Sequence, residues 1–143
     1  MSFFTSTNVH RPLSDIVLLL VRLFVGFAML SHGFPKLQQL ISGEEIQFYN
    51  FLGLGEKISL ILAVFAEFVC TIFIILGLFT RGALIFTIIT MAVAAFMVHG
   101  ADGFDMRELS LMYLASYLLL FAFGPGRISV DAMLNRKREL TAW

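Results

Sequence analysis

Charge is scarce in this chain of 143 residues: only 14% are Asp, Glu, Lys or Arg. Ten basic and ten acidic side chains cancel to a formal net charge of +0, so no basic footprint for nucleic acid exists. A single cysteine, Cys70, excludes an internal disulfide, a C-x-x-C redox pair and a thiolate zinc cluster. Hydrophobic residues fill the gap at 59% of the chain, with 16 Phe among them, and mean hydropathy reaches +0.88. So many aromatics exclude a disordered chain. A domain this small still exposes much of its surface, so such an apolar surplus does not fit a soluble globule. The class left is an integral membrane protein.

The apolar residues cluster in runs of spanning length. About 20 helical residues cross the hydrocarbon core. Four spans are expected, at approximately 14–33, 57–79, 82–99 and 107–123, within one domain covering 1–143. Ser14 suits an N-cap of the first helix and Asp15 its positive end. The first segment is expected to be a retained span, because Arg22 interrupts it and no small-x-small cleavage site follows. A hairpin at Thr80-Arg81-Gly82 makes the second and third spans antiparallel neighbours, and Gly124-Pro125-Gly126 ends the fourth. No window alternates with period two, which disfavours a barrel. The expected fold is therefore all-α, an integral membrane four-helix bundle.

The tails and the Arg81 turn share one side, with Arg11, Arg81, Arg127, Arg136, Lys137 and Arg138. The other side has Lys36, Lys57 and Arg107. Basic residues collect on the cytoplasmic side, so both the N- and C-termini are expected to be cytoplasmic. The long outer connection between helices 1 and 2 carries Leu37, Leu40, Ile41, Ile46, Phe48, Tyr49, Phe51 and Leu52. It reads as an interfacial amphipathic segment over the mouth of the bundle, with a helix start after Ser42-Gly43 near Glu44 and Glu45. The tail 128–143 reads as another interfacial helix, whose Arg136-Lys137-Arg138 cluster meets anionic headgroups.

The ionisable residues inside the spans mark the candidate site. A charge at mid-bilayer costs at least about 2.5–3.5 kcal/mol, so it faces the interior and has a partner. Arg22 lies about 10 Å inside the first helix and Glu67 about 15 Å inside the second. On antiparallel helices both fall in the middle third, where an ion pair between them is expected. Arg22, Gly26, Met29, Gly33 and Lys36 form one stripe. Ala63, Ala66, Glu67, Cys70 and Gly77 share a side of the second helix, and Ala92, Ala95 and His99 a side of the third. Small residues let membrane helices approach closely. A second polar layer nearer the outer surface contains His32, Lys36, His99 and Glu108. Two histidines and a carboxylate can exchange protons with a bound redox molecule. They can also bond water or lipid phosphate. No His-x-x-x-His or Glu-x-x-His spacing supports a metal, and none is expected. Cys70 is expected to pack as a small apolar residue.

Five ordered blocks resemble the DoxX family. They are Arg22-Leu23, Gly26, His32-Gly33 and Lys36; then Ala66-Glu67; then Leu76-Gly77-Leu78 with Thr80-Arg81; then His99, Gly103 and Glu108; and finally Gly124-Pro125-Gly126-Arg127, Ser129 and Asp131. Together they cover Leu19 to Asp131. The resemblance implies a four-helix protein of the bacterial inner (plasma) membrane, similar to the membrane subunit of thiosulfate:quinone oxidoreductase. It also implies links to membrane oxidoreductase complexes, thiol redox and oxidative-stress defence.

The functional expectation is a membrane redox subunit that binds a quinone or similar lipid-soluble carrier. Glu67, His32, His99 and Glu108 would carry protons. Arg22 and Lys36, with Glu67 and His99, would bind the carrier and stabilise charge on its reduced form. The sequence has no haem, flavin or iron–sulfur motif, so electrons would come from a soluble or membrane redox partner. Beyond the lipid bilayer, that partner or a second copy of the chain is the expected company, and nucleic acid is not. Two other classes remain open: a non-enzymatic scaffold or assembly factor, and a small-molecule transporter. The latter is disfavoured by the lack of an inverted repeat.

Overall fold

The computed structural model describes residues 11–43 and 45–141, with backbone alone for 11 and 138–141. Glu44, expected near a helix start, and the side chains of Arg11 and Arg138, counted in the charge argument, lie outside the described residues, as do the first ten residues and the last two. The described chain is built on α1 (Arg11–Ile41), α2 (Glu56–Leu76), α3 (Thr80–Val98) and α4 (Phe104–Phe123), followed by α5 (Val130–Thr141). The first four are long and apolar enough to cross a membrane. An even number of spans returns both ends to one side.

The surface pattern is that of a bilayer protein. Phe24 is 77% exposed although it sits in the middle of α1. Val25, Met29, Cys70, Ile74, Leu84, Met91, Tyr117 and Leu120 interlock inside. Lipid tails are as apolar as Leu, so close packing must hold the helices together rather than a difference in hydropathy. Glycine supplies that closeness between α1 and α2. A Cβ on Gly33 would sit 2.7 Å from the Glu67 carbonyl oxygen, and one on Gly26 2.3 Å from Ile75 Cγ1. The inward stripe of α1 is therefore the expected one, and its contacts fix the register: Gly33 opposite Glu67, Gly26 opposite Ile75.

Several local expectations shift. α1 already includes Arg11, so Ser14 lies inside the helix rather than at its N-cap, while Asp15 accepts from the Arg127 N–H at 3.0 Å. α1 also continues through Pro35 to Ile41, two turns beyond the expected end at Gly33. Membrane helices tolerate such a proline because neighbours satisfy the freed groups. No helix starts after Ser42-Gly43. Gly43, at φ +73, ends α1, and 45–50 form an irregular strap leading to a single 3₁₀ turn, Phe51–Gly53. The strap is pinned at its end: the Phe51 N–H donates to Ser59 Oγ at 2.9 Å and the Gly55 N–H to Asn50 Oδ1 at 2.8 Å.

The hairpin between α2 and α3 is antiparallel as expected, but it turns at Gly77-Leu78-Phe79. Gly77 takes a left-handed conformation (φ 70) that lets the Leu78 N–H reach back to the Phe73 carbonyl at 3.0 Å, and Thr80 is already helical. The N-terminus of α3 is capped from afar. Asp131 of α5 accepts from the N–H groups of Phe79 (2.7 Å) and Thr80 (2.9 Å) and from the Thr80 hydroxyl (2.8 Å). Partial burial pushes the Asp131 carboxyl up, but these hydrogen bonds and the Arg22 charge outweigh it and hold it below its ordinary value.

Candidate functional site

Two π-bulges shape the outer half of the bundle. One runs from Phe65 to Cys70 in α2 and contains Glu67; the other runs from Ala94 to Val98 in α3 and delivers His99 at its end. A π-bulge inserts a residue into a helical turn and re-aims the side chains beside it, and such bulges concentrate at functional sites.

Between the two bulges and beneath the strap lies a cavity of about 640 Å³. Its polar end is an ion pair. Lys36 Nζ of α1 stands 2.5 Å from Glu67 Oε1, and the ammonium lies 5.8 Å from the Phe48 ring centre on the strap. Glu67 is only 3% exposed and Lys36 30%. The second carboxylate oxygen, Glu67 Oε2, is buried without a hydrogen-bond partner among the described residues. His99 lines the same cavity, and its Nδ1 lies 2.9 Å from Asp102 Oδ2. The remaining walls are mostly apolar. Leu62 and Phe65 of α2 and Phe86, Ile89 and Val98 of α3 line the cavity while remaining exposed on the outer surface of the bundle. Phe65 and Phe86 meet edge to face at 5.2 Å and close part of this side. The cavity therefore opens sideways between α2 and α3, where lipid tails would lie, and the strap covers it from the outer aqueous side.

The structure brings together three of the six expected site residues: Lys36, Glu67 and His99. The ion pair expected between Arg22 and Glu67 does not form. Arg22 is 1% exposed, but it belongs to the other end of the bundle. Its guanidinium donates to the carbonyls of Pro125, Ile128 (3.0 Å) and Ile75 (3.3 Å), fastening the α4–α5 loop onto α1 and α2. The reason is register. With α1 reaching Ile41, Glu67 faces Gly33, about 16 Å along the axis from Arg22. Lys36, one turn above Gly33, takes the place expected for Arg22. His32 does not line the cavity. It packs edge-on against Tyr113 at 5.9 Å, and Tyr113 in turn stacks on Tyr117. Glu108 is exposed in the second turn of α4, which begins at Phe104, and also lies outside the cavity. Among the described residues no cluster of three or more His, Cys, Asp or Glu is arranged to hold a metal.

Four contributors were missed by sequence reasoning. Asp102 was readable as His-x-x-Asp just beyond a helix end. Phe48, Tyr49 and Phe51 were noted as interfacial, but nothing in their spacing marked them as a cavity wall.

The family model for DoxX matches residues 17–100, more than half of the chain. The chain belongs to the DoxX family. The match takes in Arg22, Lys36, Glu67 and His99 and stops before the closing block at Gly124. This DoxX protein is 28% identical to the inner membrane protein YqjF of Escherichia coli (strain K12), over 89% of this chain and 98% of that one. It is 24% identical to an uncharacterized protein of Haemophilus influenzae, over 91% of each chain. No solved structure matches it. With four spanning helices and this kinship, it is a multi-pass inner-membrane protein, of a family linked to membrane redox subunits.

Proposed function

We propose that this DoxX protein is a membrane-embedded subunit of a redox system and binds a quinone, or a similar lipid-soluble carrier, in the cavity between α2 and α3. One observation carries the reading: a buried Lys36–Glu67 pair forms the polar end of a cavity whose other walls are apolar and open towards lipid. A volume of about 640 Å³ lies within the range of small-molecule sites, roughly 300–1,000 Å³. It accommodates a ring with the first part of a tail, and the lipid-facing side lined by Leu62, Ile89 and Val98 is where the tail would leave into the bilayer.

The chain's own residues then have separable tasks. Lys36 donates to a ring oxygen, and Glu67 holds the ammonium in place. His99 exchanges a proton with the carrier at the ring nitrogen that Asp102 does not hold. The strap keeps bulk water off the polar end, which strengthens each of these interactions. A bound quinone would supply the electron-transfer chemistry, with electrons delivered by a redox partner.

Thermal protection tests this reading. Ubiquinone-1 at about 100 times its dissociation constant adds about 2.7 kcal/mol of stability, enough to raise the midpoint by several degrees. Glu67→Gln and Lys36→Met should each abolish most of the shift. No shift in the unsubstituted protein refutes the reading.

A further inference from the structure

His99 and Asp102 are tied together twice. The Asp102 N–H donates to the His99 carbonyl at 3.1 Å, and the Asp102 carboxylate lies 2.9 Å from His99 Nδ1. Upstream, the His99 N–H returns to the Ala94 carbonyl at 3.0 Å, so the bulge of α3 fixes the His99 backbone from the other side. Asp102 is 49% exposed and reaches the outer surface, while His99 lines the cavity.

A carboxylate only accepts hydrogen bonds, so Asp102 keeps the His99 proton on Nδ1. The free nitrogen is then Nε2. In the neutral ring it is a lone pair; in the charged ring it is an N–H donor. The two oxidation states of a quinone-type carrier differ in the same way. The oxygens of the oxidised form only accept, whereas each O–H of the reduced form donates.

We infer that the His99–Asp102 dyad makes this cavity choose between the oxidation states of its carrier according to pH, with Asp102 as the positioning residue. The inference rests on the carrier-binding reading above. Neutral His99 receives the hydroxyl of the reduced form; charged His99 donates to the oxidised form. The other titratable groups lining the cavity are Lys36 from α1, Glu67 from α2 and Tyr49 from the strap. Lys36 and Glu67 together hold a donor and an acceptor, so they serve either form. Asp105, Arg107 and Glu108, at the start of α4, make no hydrogen bond or ion pair with His99 among the described residues.

The test is equilibrium binding of ubiquinone-1 and of ubiquinol-1, measured anaerobically by calorimetry on the full chain in nanodiscs. The pH runs from about 8 to about 5, across the range where imidazoles protonate. One hydrogen bond gained or lost is a change of about fivefold. As pH falls, ubiquinone-1 should bind about fivefold tighter and ubiquinol-1 about fivefold weaker. Asp102→Glu should keep the opposed trends. Asp102→Asn should weaken them, because an amide can donate to Nδ1 as well as accept from it and no longer fixes the tautomer. His99→Gln, with no titratable ring, should flatten both curves and serves if Asp102→Asn fails to fold. Parallel or absent trends in the unsubstituted protein, or opposed trends undiminished in Asp102→Asn, overturn the inference and leave the carrier site standing. Failure of both probes to bind overturns the carrier site and the inference together.

Discussion

The Lys36–Glu67 pair makes a quantitative demand on stability. Glu67 is almost wholly buried, and its Oε1 has one partner, Lys36 Nζ at 2.5 Å. Removing one member of a buried pair costs about 3–5 kcal/mol, because the other charge is left uncompensated. Lys36 keeps nearly a third of its surface exposed, so water can partly replace it and the lower end of that range applies. Lys36→Met should therefore destabilise the protein by about 3 kcal/mol. Adding Glu67→Gln removes the stranded charge while keeping the shape, so the double variant should recover about 2 kcal/mol of that loss. Reversible unfolding in mixed micelles, followed by circular dichroism across a denaturant series, gives all four corners of the cycle. A Lys36→Met variant within about 0.5 kcal/mol of the parent would mean that the pair is solvated like a surface pair. Strict additivity of the two substitutions would mean that they do not interact. Either result refutes the buried-pair reasoning.

Other substitutions separate neighbouring effects. Gly33→Ala should cost about 1–3 kcal/mol, because the new methyl meets the Glu67 backbone, which cannot rotate away, whereas Gly26→Ala should cost less, because it meets Ile75 Cγ1, which a χ1 rotation of that β-branched side chain can move at a rotamer cost. Thermal melts of the two variants, run side by side, check the order. Arg22→Lys should lower the melting temperature, since a single ammonium cannot span the carbonyls of Pro125, Ile128 and Ile75, yet change the ubiquinone-1 affinity of the folded protein by less than about twofold. A large affinity loss without a stability loss would return Arg22 to the binding site. Asp131→Asn should cost about 1 kcal/mol at neutral pH, as loss of a helix cap does. The folded Asp131 carboxyl lies below its ordinary value, so its stabilisation is full above about pH 4 and fades as pH falls through the lower folded value. Melts compared from about pH 7 downward should show the Asp131→Asn deficit shrinking only in the acid range.

The spans, the inward stripe of α1, the small faces of the helices and the burial of Arg22 and Glu67 were all legible in the sequence, because each follows from length, period or the cost of a charge in lipid. Partner choice was not. It depends on helix register, and register depends on where α1 ends. Pro35 and Lys36 look like an end signal in a soluble helix, but in a membrane bundle the helix runs on to Ile41 and lifts Lys36 beside Glu67. An error of two turns thus exchanges one cation for another. Nor does a hydropathy pattern announce a π-bulge. Phe65 to Cys70 and Ala94 to Val98 read as ordinary helix, although they shape the cavity and set His99 at its edge.

The two interior cations of α1 divide the bundle into halves with different chemistry. Arg22 is surrounded by backbone carbonyls: both terminal nitrogens donate, though its buried Nε has no partner among the described residues, and it ties the α4–α5 loop into place. Beside it, Asp131 is consumed by the cap of α3. The terminal nitrogens of Arg22 and both carboxylate oxygens of Asp131 are thus bonded to other parts of the chain, which suits a rigid base. In the outer half the same inventory is only partly committed: Glu67 has one oxygen bonded and one not, and His99 has one nitrogen held by Asp102. A buried carboxylate oxygen without a partner costs about 1–3 kcal/mol or more, so a fold that served packing alone would gain by filling the cavity with apolar side chains. The outer half instead keeps a cavity of about 640 Å³ beside that incomplete pair, and an unspent polar group next to an open cavity is what a binding site requires of the chain that builds it.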